Sequence, residues 1–116
     1  MARVDLKADC PLESLGYRQC KLLAAAKALS HADFADPETP ANTGIPAGAD
    51  YALLQVLTQA VRYRTDGGTP TAAQGTRIDA GDNLWCNASD LALVEIIEET
   101  ATAEVNVEYF RAHTRP

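Results

Sequence analysis

Apolar and polar residues alternate most regularly near the C-terminal end of the chain. Every second residue of 103–109 is apolar, and the positions between them are Glu104, Asn106 and Glu108. A period of two predicts a half-buried β-strand. The run at 91–97 is almost continuously apolar, which favours a strand inside a sandwich. Residues 98–102 would then join the two strands as an antiparallel hairpin.

Residues 51–64 carry a less decisive pattern, because their apolar positions satisfy both a helical and a strand spacing. We prefer two strands, at 51–58 and 60–64. The second of these alternates and runs directly into the turn sequence Asp66-Gly67-Gly68. A helix at 51–64 is the alternative.

Two segments end in the same kind of turn. Residues 44–50 and 77–82 each read as a short strand followed by Ala-Gly, and 83–86 would be the next short strand. Short strands with turn signals about every ten residues are typical of a β-sandwich or jelly roll. We therefore predict an all-β fold, a jelly-roll-like antiparallel β-sandwich. Six residues should lie in its core: Leu54, Val56, Val94, Ile96, Val105 and Val107.

The first part of the chain differs in character. Residues 22–30 are rich in alanine, and their helix propensity allows one short helix there. Residues 31–43 form a polar loop with two prolines. The apolar residues of 1–16 follow no period, so we expect an extended N-terminal arm at 1–16 and a β-sandwich domain at 17–116 that includes the 31–43 loop.

Length and charge narrow the class of protein. A chain of 116 residues is the size of one domain, and its net charge of −6 argues against a nucleic-acid partner. The apolar runs are too short to cross a membrane as a helix. Residues 78–110 hold eight acids and no Lys or Arg, whereas the first 27 residues are mildly basic. The first residues lack an apolar signal segment, so we expect synthesis in the cytoplasm.

Residue types that metal sites and catalysis need are scarce. The three cysteines match neither a zinc site nor a redox pair, and two histidines offer little for a triad or a metal centre. We therefore expect no catalytic residue, no cofactor and no metal. The three cysteines are Cys10, Cys20 and Cys86, and the two histidines are His31 and His113.

Two further features concern possible contacts. Arg62 and Arg64 flank Tyr63 at strand spacing, so their guanidinium groups would share one face and could bind an anionic ligand or a neighbouring chain. An ordinary solvated strand face is the interpretation that we favour. Trp85 is expected in the core rather than at an interface, because a lone Trp in a small sandwich is more often buried.

Five segments carry a family resemblance. They are 45–55, which begins Ile-Pro-Ala-Gly; 61–71, which contains Arg-Tyr-Arg-Thr-Asp-Gly-Gly-Thr-Pro-Thr; the Ala-Gly turn at 80–82; the segment 90–93; and the alternating strand 103–109. In combination they resemble small virion proteins of tailed bacteriophages. The resemblance covers residues 44–110 and extends weakly to a strand at 17–23. Residues 1–16 and 31–43 have no counterpart in it.

The resemblance implies a structural role, as a capsid decoration or cement protein, and no catalytic residues. A neck or tail accessory protein is the alternative within the same class. The implied partners are other virion proteins and further copies of this chain, with no nucleic acid and no membrane, and the implied location is the virion after synthesis in the bacterial host cytoplasm.

Contact with neighbouring subunits is assigned to the arm and to the two strand arginines. Aperiodic apolar residues are typical of segments that order on another molecule's surface, and Arg3 and Lys7 would orient the arm toward the acidic 78–110 region of another copy. The predicted interface residues are Val4, Leu6, Leu12, Leu15, Arg62 and Arg64.

Two competing functions remain. A carbohydrate-binding module on a fibre would need exposed aromatics beside polar side chains, and one Trp, four Tyr and two Phe give it little support. A jelly-roll enzyme would need a cluster of histidines, which the chain lacks.

Overall fold

The computed structural model describes residues 12–112. In this range the chain forms eight β-strands and one short helix. Their bounds are β1 (Leu12–Cys20), β2 (Lys27–Ala28), β3 (Tyr51–Val56), β4 (Val61–Arg64), β5 (Thr76–Ile78), β6 (Asn83–Asn87), α1 (Ala88–Leu91), β7 (Glu95–Glu98) and β8 (Val105–Ala112).

The strands form two packed antiparallel sheets of four strands each. Sheet A has the order β1-β8-β3-β6, and sheet B has the order β2-β7-β4-β5. Hydrogen-bonded neighbours are therefore nested along the chain: β1 pairs with β8, β2 with β7, β3 with β6 and β4 with β5. The predicted all-β antiparallel sandwich is confirmed.

The core lies between the inner faces of the two sheets. All six predicted core residues are buried, because each falls on the inward phase of a strand or, for Val94, just before one. Residues from the connection between β1 and β3 complete the core, namely Leu23, Leu29 and Phe34, and all three are fully buried. Burial of an aliphatic or aromatic side chain contributes about 1.5–3 kcal/mol.

The helix allowed at 22–30 is absent. Leu23 and Leu29 point into the core, and Lys27–Ala28 pairs with β7, so packing overrides the alanine propensity. The short helix is α1 instead. The side chain of Asn87 accepts hydrogen bonds from the backbone N–H groups of Ser89 and Asp90, which is the pattern of an N-cap.

The predicted hairpin between 91–97 and 103–109 is wrong. α1 occupies the start of the first segment and β7 begins only at Glu95, so the predicted strand is shortened. β7 belongs to sheet B, whereas β8 belongs to sheet A. The apolar character of 91–97 reflects a chain that crosses between sheets while burying Leu91 and Val94.

The two strands preferred for 51–64 are present as β3 and β4, and the helical alternative is wrong. They lie in different sheets. Of the two segments that resemble each other, 77–82 contains the end of β5 and a turn, whereas 44–50 contains no strand. Both Ala-Gly turns exist, with φ of 81° at Gly48 and 92° at Gly81, a conformation that glycine adopts without strain.

The boundary of the predicted arm is wrong within the described residues. Residues 12–16 belong to β1, which pairs with β8 along its length and contains a bulge near Gly16. Residues 1–11 lie outside the described range. The 31–43 connection is fixed to β1 by two backbone hydrogen bonds between Gln19 and Ala35, of 2.8 and 3.2 Å.

Candidate interaction surface

Arg62 and Arg64 lie on the outer face of sheet B, as their spacing predicts, but each binds its own chain. Nε of Arg62 donates to Glu99 at 2.9 Å, and its Nη1 donates to the Gly75 carbonyl at 2.9 Å. Arg64 donates to both carboxylate oxygens of Asp66, at 3.0 and 2.6 Å. Each guanidinium therefore has a carboxylate partner in its own chain, which argues against the alternative that the two arginines bind an external anion.

Glu99 joins two strands of sheet B electrostatically. Arg62 faces Arg77 across the β4–β5 ladder, and the Glu99 carboxylate accepts hydrogen bonds from both guanidinium groups. The hydrogen bond from Arg77, together with the nearby positive charges, lowers the pKa of Glu99 below its ordinary value. In the β4–β5 loop, hydrogen bonds from Arg64 and from the Gly68 N–H lower the pKa of Asp66 to about 2. These charges stabilise the outer face of sheet B itself.

The other predicted interface residues divide into two groups. Leu12 and Leu15 are half-buried in β1, and Leu15 packs against the core, so neither belongs to a free arm. The prediction that they lie in an extended arm is wrong, because the pairing of β1 with β8 holds them on their own domain. Val4 and Leu6 lie outside the described residues.

Trp85 is exposed rather than in the core. Its relative exposure is 52%, on the outer face of sheet A. The sequence held a signal for this position: Asn83, Trp85 and Asn87 share one phase of β6, whereas Leu84 and Cys86 share the other. A Trp in phase with two asparagines therefore lies on the polar side of the strand.

Trp85 belongs to a group of apolar side chains on this outer face, which we call the aromatic face. Its members occupy the outward positions of three adjacent strands, and Trp85 and Phe110 have ring centroids 5.7 Å apart at an interplanar angle of 41°. Tyr51 is 38% exposed, whereas Phe110 is buried, with an exposure of 5%. The aromatic face consists of Tyr51, Leu53, Trp85 and Phe110, which are neighbours in the β3–β6 and β3–β8 registers.

Uncharged polar side chains surround the aromatic face. The strand registers place Gln55 beside Asn83 on one side and beside Asn106 on the other, in the row next to Trp85 and Leu53. Tyr17 donates its hydroxyl to Asn106 Oδ1 at 2.9 Å. The carboxylate that shares this outer face, that of Glu108, accepts a hydrogen bond from Ser14 at 3.0 Å. The surface thus combines aromatic rings with amides and little charge.

The buried titratable groups show no sign of activation. Burial raises the pKa of the Cys86 thiol to about 11 and also raises that of Cys20, so both thiols are protonated at neutral pH. A reactive cysteine needs the opposite shift. His31 lies in the 31–43 loop, where its Nδ1 accepts a hydrogen bond from the Asp33 N–H.

Residues 12–112 offer neither a metal site nor a membrane-spanning helix. They contain no group of three or more His, Cys, Asp or Glu side chains arranged to hold a metal ion. No helix in this range has the length and apolar character needed to cross a membrane. An open depression of about 520 Å³ beside Tyr51, Asn87 and Ser89 adjoins the aromatic face. The aromatic face is therefore the strongest candidate for a functional surface.

Comparison with known proteins adds no relative. No protein-family model matches the sequence, and neither the curated proteins nor the solved structures give a match.

Proposed function

We propose that this chain is a bacteriophage virion structural protein, a capsid decoration or cement protein that binds neighbouring virion subunits and other copies of itself. The nested strand order supports the proposal, because pairing of β1 with β8, β2 with β7, β3 with β6 and β4 with β5 is what rolling one long hairpin into two sheets produces. We infer on this basis that the sandwich is a jelly roll, and eight-stranded jelly rolls serve in viral capsid and lectin domains. Because one fold serves many functions, the function must reside in the surface of the protein.

The observation that carries the proposal is the aromatic face. Interface centres are enriched in Trp and Tyr and depleted in charged residues. In a chain of net charge −6, the outer face of sheet A presents Trp85 and Tyr51 among amides, with Glu108 held by Ser14. Such a surface is suited to contact with another protein.

Residues of the segment 61–71, which carries part of the family resemblance, shape the β4–β5 loop. Arg64, Asp66 and Gly68 fold the start of the β4–β5 loop: Asp66 binds the Arg64 guanidinium and accepts a hydrogen bond from the Gly68 N–H at 3.0 Å. A Cβ at Gly68 would clash with Arg64 Cζ, so glycine leaves room for the guanidinium. Pro70 of the same loop is buried. The proposal assigns no catalytic step, metal or cofactor.

A carbohydrate-binding module is the second candidate, and one observation favours it. Trp85 and Tyr51 are exposed beside Asn83 and Gln55. Aromatic rings next to amide donors and acceptors are the groups that bind sugars by stacking and hydrogen bonding. A neck or tail accessory protein remains the alternative location for the first candidate.

Purified particles of the phage that encodes the chain test the proposal. We expect the protein in the particles, at hundreds of copies for a decoration protein and about six to twelve for a neck or tail component. Particles without the protein should bind the wild-type chain, and Trp85→Ala should bind more weakly than the control Leu22→Ala, whose site is exposed beyond β1. Absence from the particles would refute the virion role. Binding of a glycan array that Trp85→Ala abolishes would establish the second candidate.

A further inference from the structure

β6 forms an edge of sheet A that no other described strand covers. Hydrogen bonds fix its orientation: Leu57 N–H donates to Glu104 O at 2.9 Å, and Val56 N–H donates to Asp82 O at 3.1 Å. Hydrogen-bonded pairs alternate along an antiparallel ladder, so even-numbered residues of β3 bond toward β6. Leu84 and Cys86 therefore bond to β3, and the backbone N–H and C=O of Asn83 and Trp85 point to the open edge.

β6 differs from the other three sheet edges. Proteins protect edge strands from pairing with charges, prolines, bulges, short length or a covering loop. The end of β1 is covered by the backbone pairing of Gln19 with Ala35, and β1 also contains a bulge near Gly16. β2 has two residues, and β5 has three, one of which is Arg77. β6 has five residues, Asn-Leu-Trp-Cys-Asn, with no charge and no proline. Among residues 12–112, no further strand pairs with β6 on this side.

We infer that β6 pairs with β6 of a second copy, antiparallel and centred on Trp85, to join the two A sheets into one sheet of eight strands. Trp85 is the middle residue of β6, so a two-fold axis there places Trp85 opposite Trp85 and Asn83 opposite Asn87 of the second copy. The Cα atoms of a hydrogen-bonded antiparallel pair lie about 5.5 Å apart, so the two indole rings meet on the outer face. The aromatic faces of the two copies then form one continuous surface.

The charge distribution around β6 allows a second copy to occupy this edge despite the net charge of the chain. Two copies of a chain with net charge −6 repel each other, and a two-fold axis brings identical residues together. An uncharged strand avoids like-charge pairs at the axis. Antiparallel pairing also separates the two Asp82 residues by six strand positions, roughly 20 Å, which exceeds the screening length of about 8 Å at physiological salt.

Sedimentation of the purified full-length protein over a concentration series tests the inference. We expect a concentration-dependent dimer and a blue shift of the emission of the single Trp as the dimer forms. Trp85→Lys places two positive charges at the axis and should weaken dimerisation by about 30-fold or more. The matched control Leu22→Lys, at an exposed leucine next to the opposite edge strand, should dimerise as the wild type does.

A mixing experiment tests the register. Trp85→Lys and Trp85→Glu should each be monomeric alone, and an equimolar mixture should recover dimers, because opposite charges then meet at the axis. Melting curves of each variant verify that it is folded. A wild-type monomer up to millimolar concentration would overturn the inference. So would a dimer that Trp85→Lys leaves intact, one that Leu22→Lys weakens equally, or a mixture of folded variants that remains monomeric.

The inference rests on the self-association included in the proposed function, and the two can fail separately. Protein that binds particles as a monomer would retain the virion role and refute the β6 pairing. A Trp85-dependent dimer that is absent from particles would retain the pairing and refute the virion role.

Discussion

Replacement of Tyr109 by Phe should stabilise the protein. Tyr109 is fully buried in β8, and its hydroxyl forms no hydrogen bond with the described residues. A buried polar group without a partner costs about 1–3 kcal/mol. Phe retains the ring, so we expect Tyr109→Phe to raise the free energy of unfolding by about 1 kcal/mol or more. For a chain of this size, that corresponds to an increase in melting temperature of about 4 °C.

Tyr17→Phe is the matched control, because it removes the same atom from a hydroxyl that has a partner. Tyr17 donates to Asn106 at 2.9 Å across the β1–β8 ladder. Loss of one such hydrogen bond costs about 0.5–1.5 kcal/mol. The two substitutions should therefore change stability in opposite directions. Urea unfolding at pH 7, with equal m-values required, measures both.

Alkaline pH gives a second measurement on the same residue. Burial raises the pKa of Tyr109 above its ordinary value of 10.0, so its neutral form is favoured in the folded state. Its contribution to stability is fully present below pH 10 and decreases as the pH rises above that value. Tyr109→Phe should lose less stability than the wild type between pH 9 and 11. A destabilised Tyr109→Phe at pH 7, with a fold unchanged by circular dichroism, would refute the reasoning.

Three further predictions concern the turns and charges. Gly44→Ala should destabilise the protein by more than Gly81→Ala, as measured by thermal unfolding. Both glycines have a positive φ, so alanine at either position costs about 1 kcal/mol. Only the Cβ at residue 44 would also meet a backbone oxygen, at 3.0 Å. Glu99→Gln should lower the free energy of unfolding at pH 7 and have less effect at pH 3. The lowered pKa of Glu99 contributes stability above pH 4.5, its ordinary pKa, and this contribution is lost as the pH falls. An equal effect at both pH values in urea titrations would contradict this. Asn87→Ala should cost about 1 kcal/mol by removing the cap of α1, and an unchanged melting temperature would exclude that role.

Local pattern was enough to predict most strands but not their partners. The alternation at 103–109 predicts β8 and its inward phase, because burial of one face imposes a period of two. Its neighbours are β1 and β3, and the contact between Tyr17 and Asn106 spans 89 residues of sequence. Nothing in the local pattern encodes that pairing. A hairpin with the nearest strand was the simplest expectation, and α1 prevents it by moving the chain to the other sheet.

The errors in secondary structure come from competition between propensity and packing. Alanines at 22–30 favour a helix in isolation, but the gain from burying Leu23 and Leu29 between the sheets decides the conformation. Trp85 was misplaced for a different reason. A lone Trp in a small sandwich is more often buried, whereas the asparagines in phase with it at 83 and 87 indicate the outer face. Phase within a strand was the better guide to burial than residue type.

The structure also changes which surface is expected to drive association. The sequence hypothesis matched a basic arm to the acids of 78–110, yet five of those eight carboxylates bind groups of their own chain: Asp79 and Glu99 bind arginine, Glu104 binds Lys21, Glu98 binds the Ala103 N–H, and Glu108 binds Ser14. A carboxylate with an internal partner gains little from a second, and an exposed ion pair contributes only about 0–1 kcal/mol. Backbone pairing at β6 and burial of Trp85 do not require any carboxylate to give up its internal partner. If two copies associate through β6, added salt should leave the dimer intact, because its contacts are uncharged.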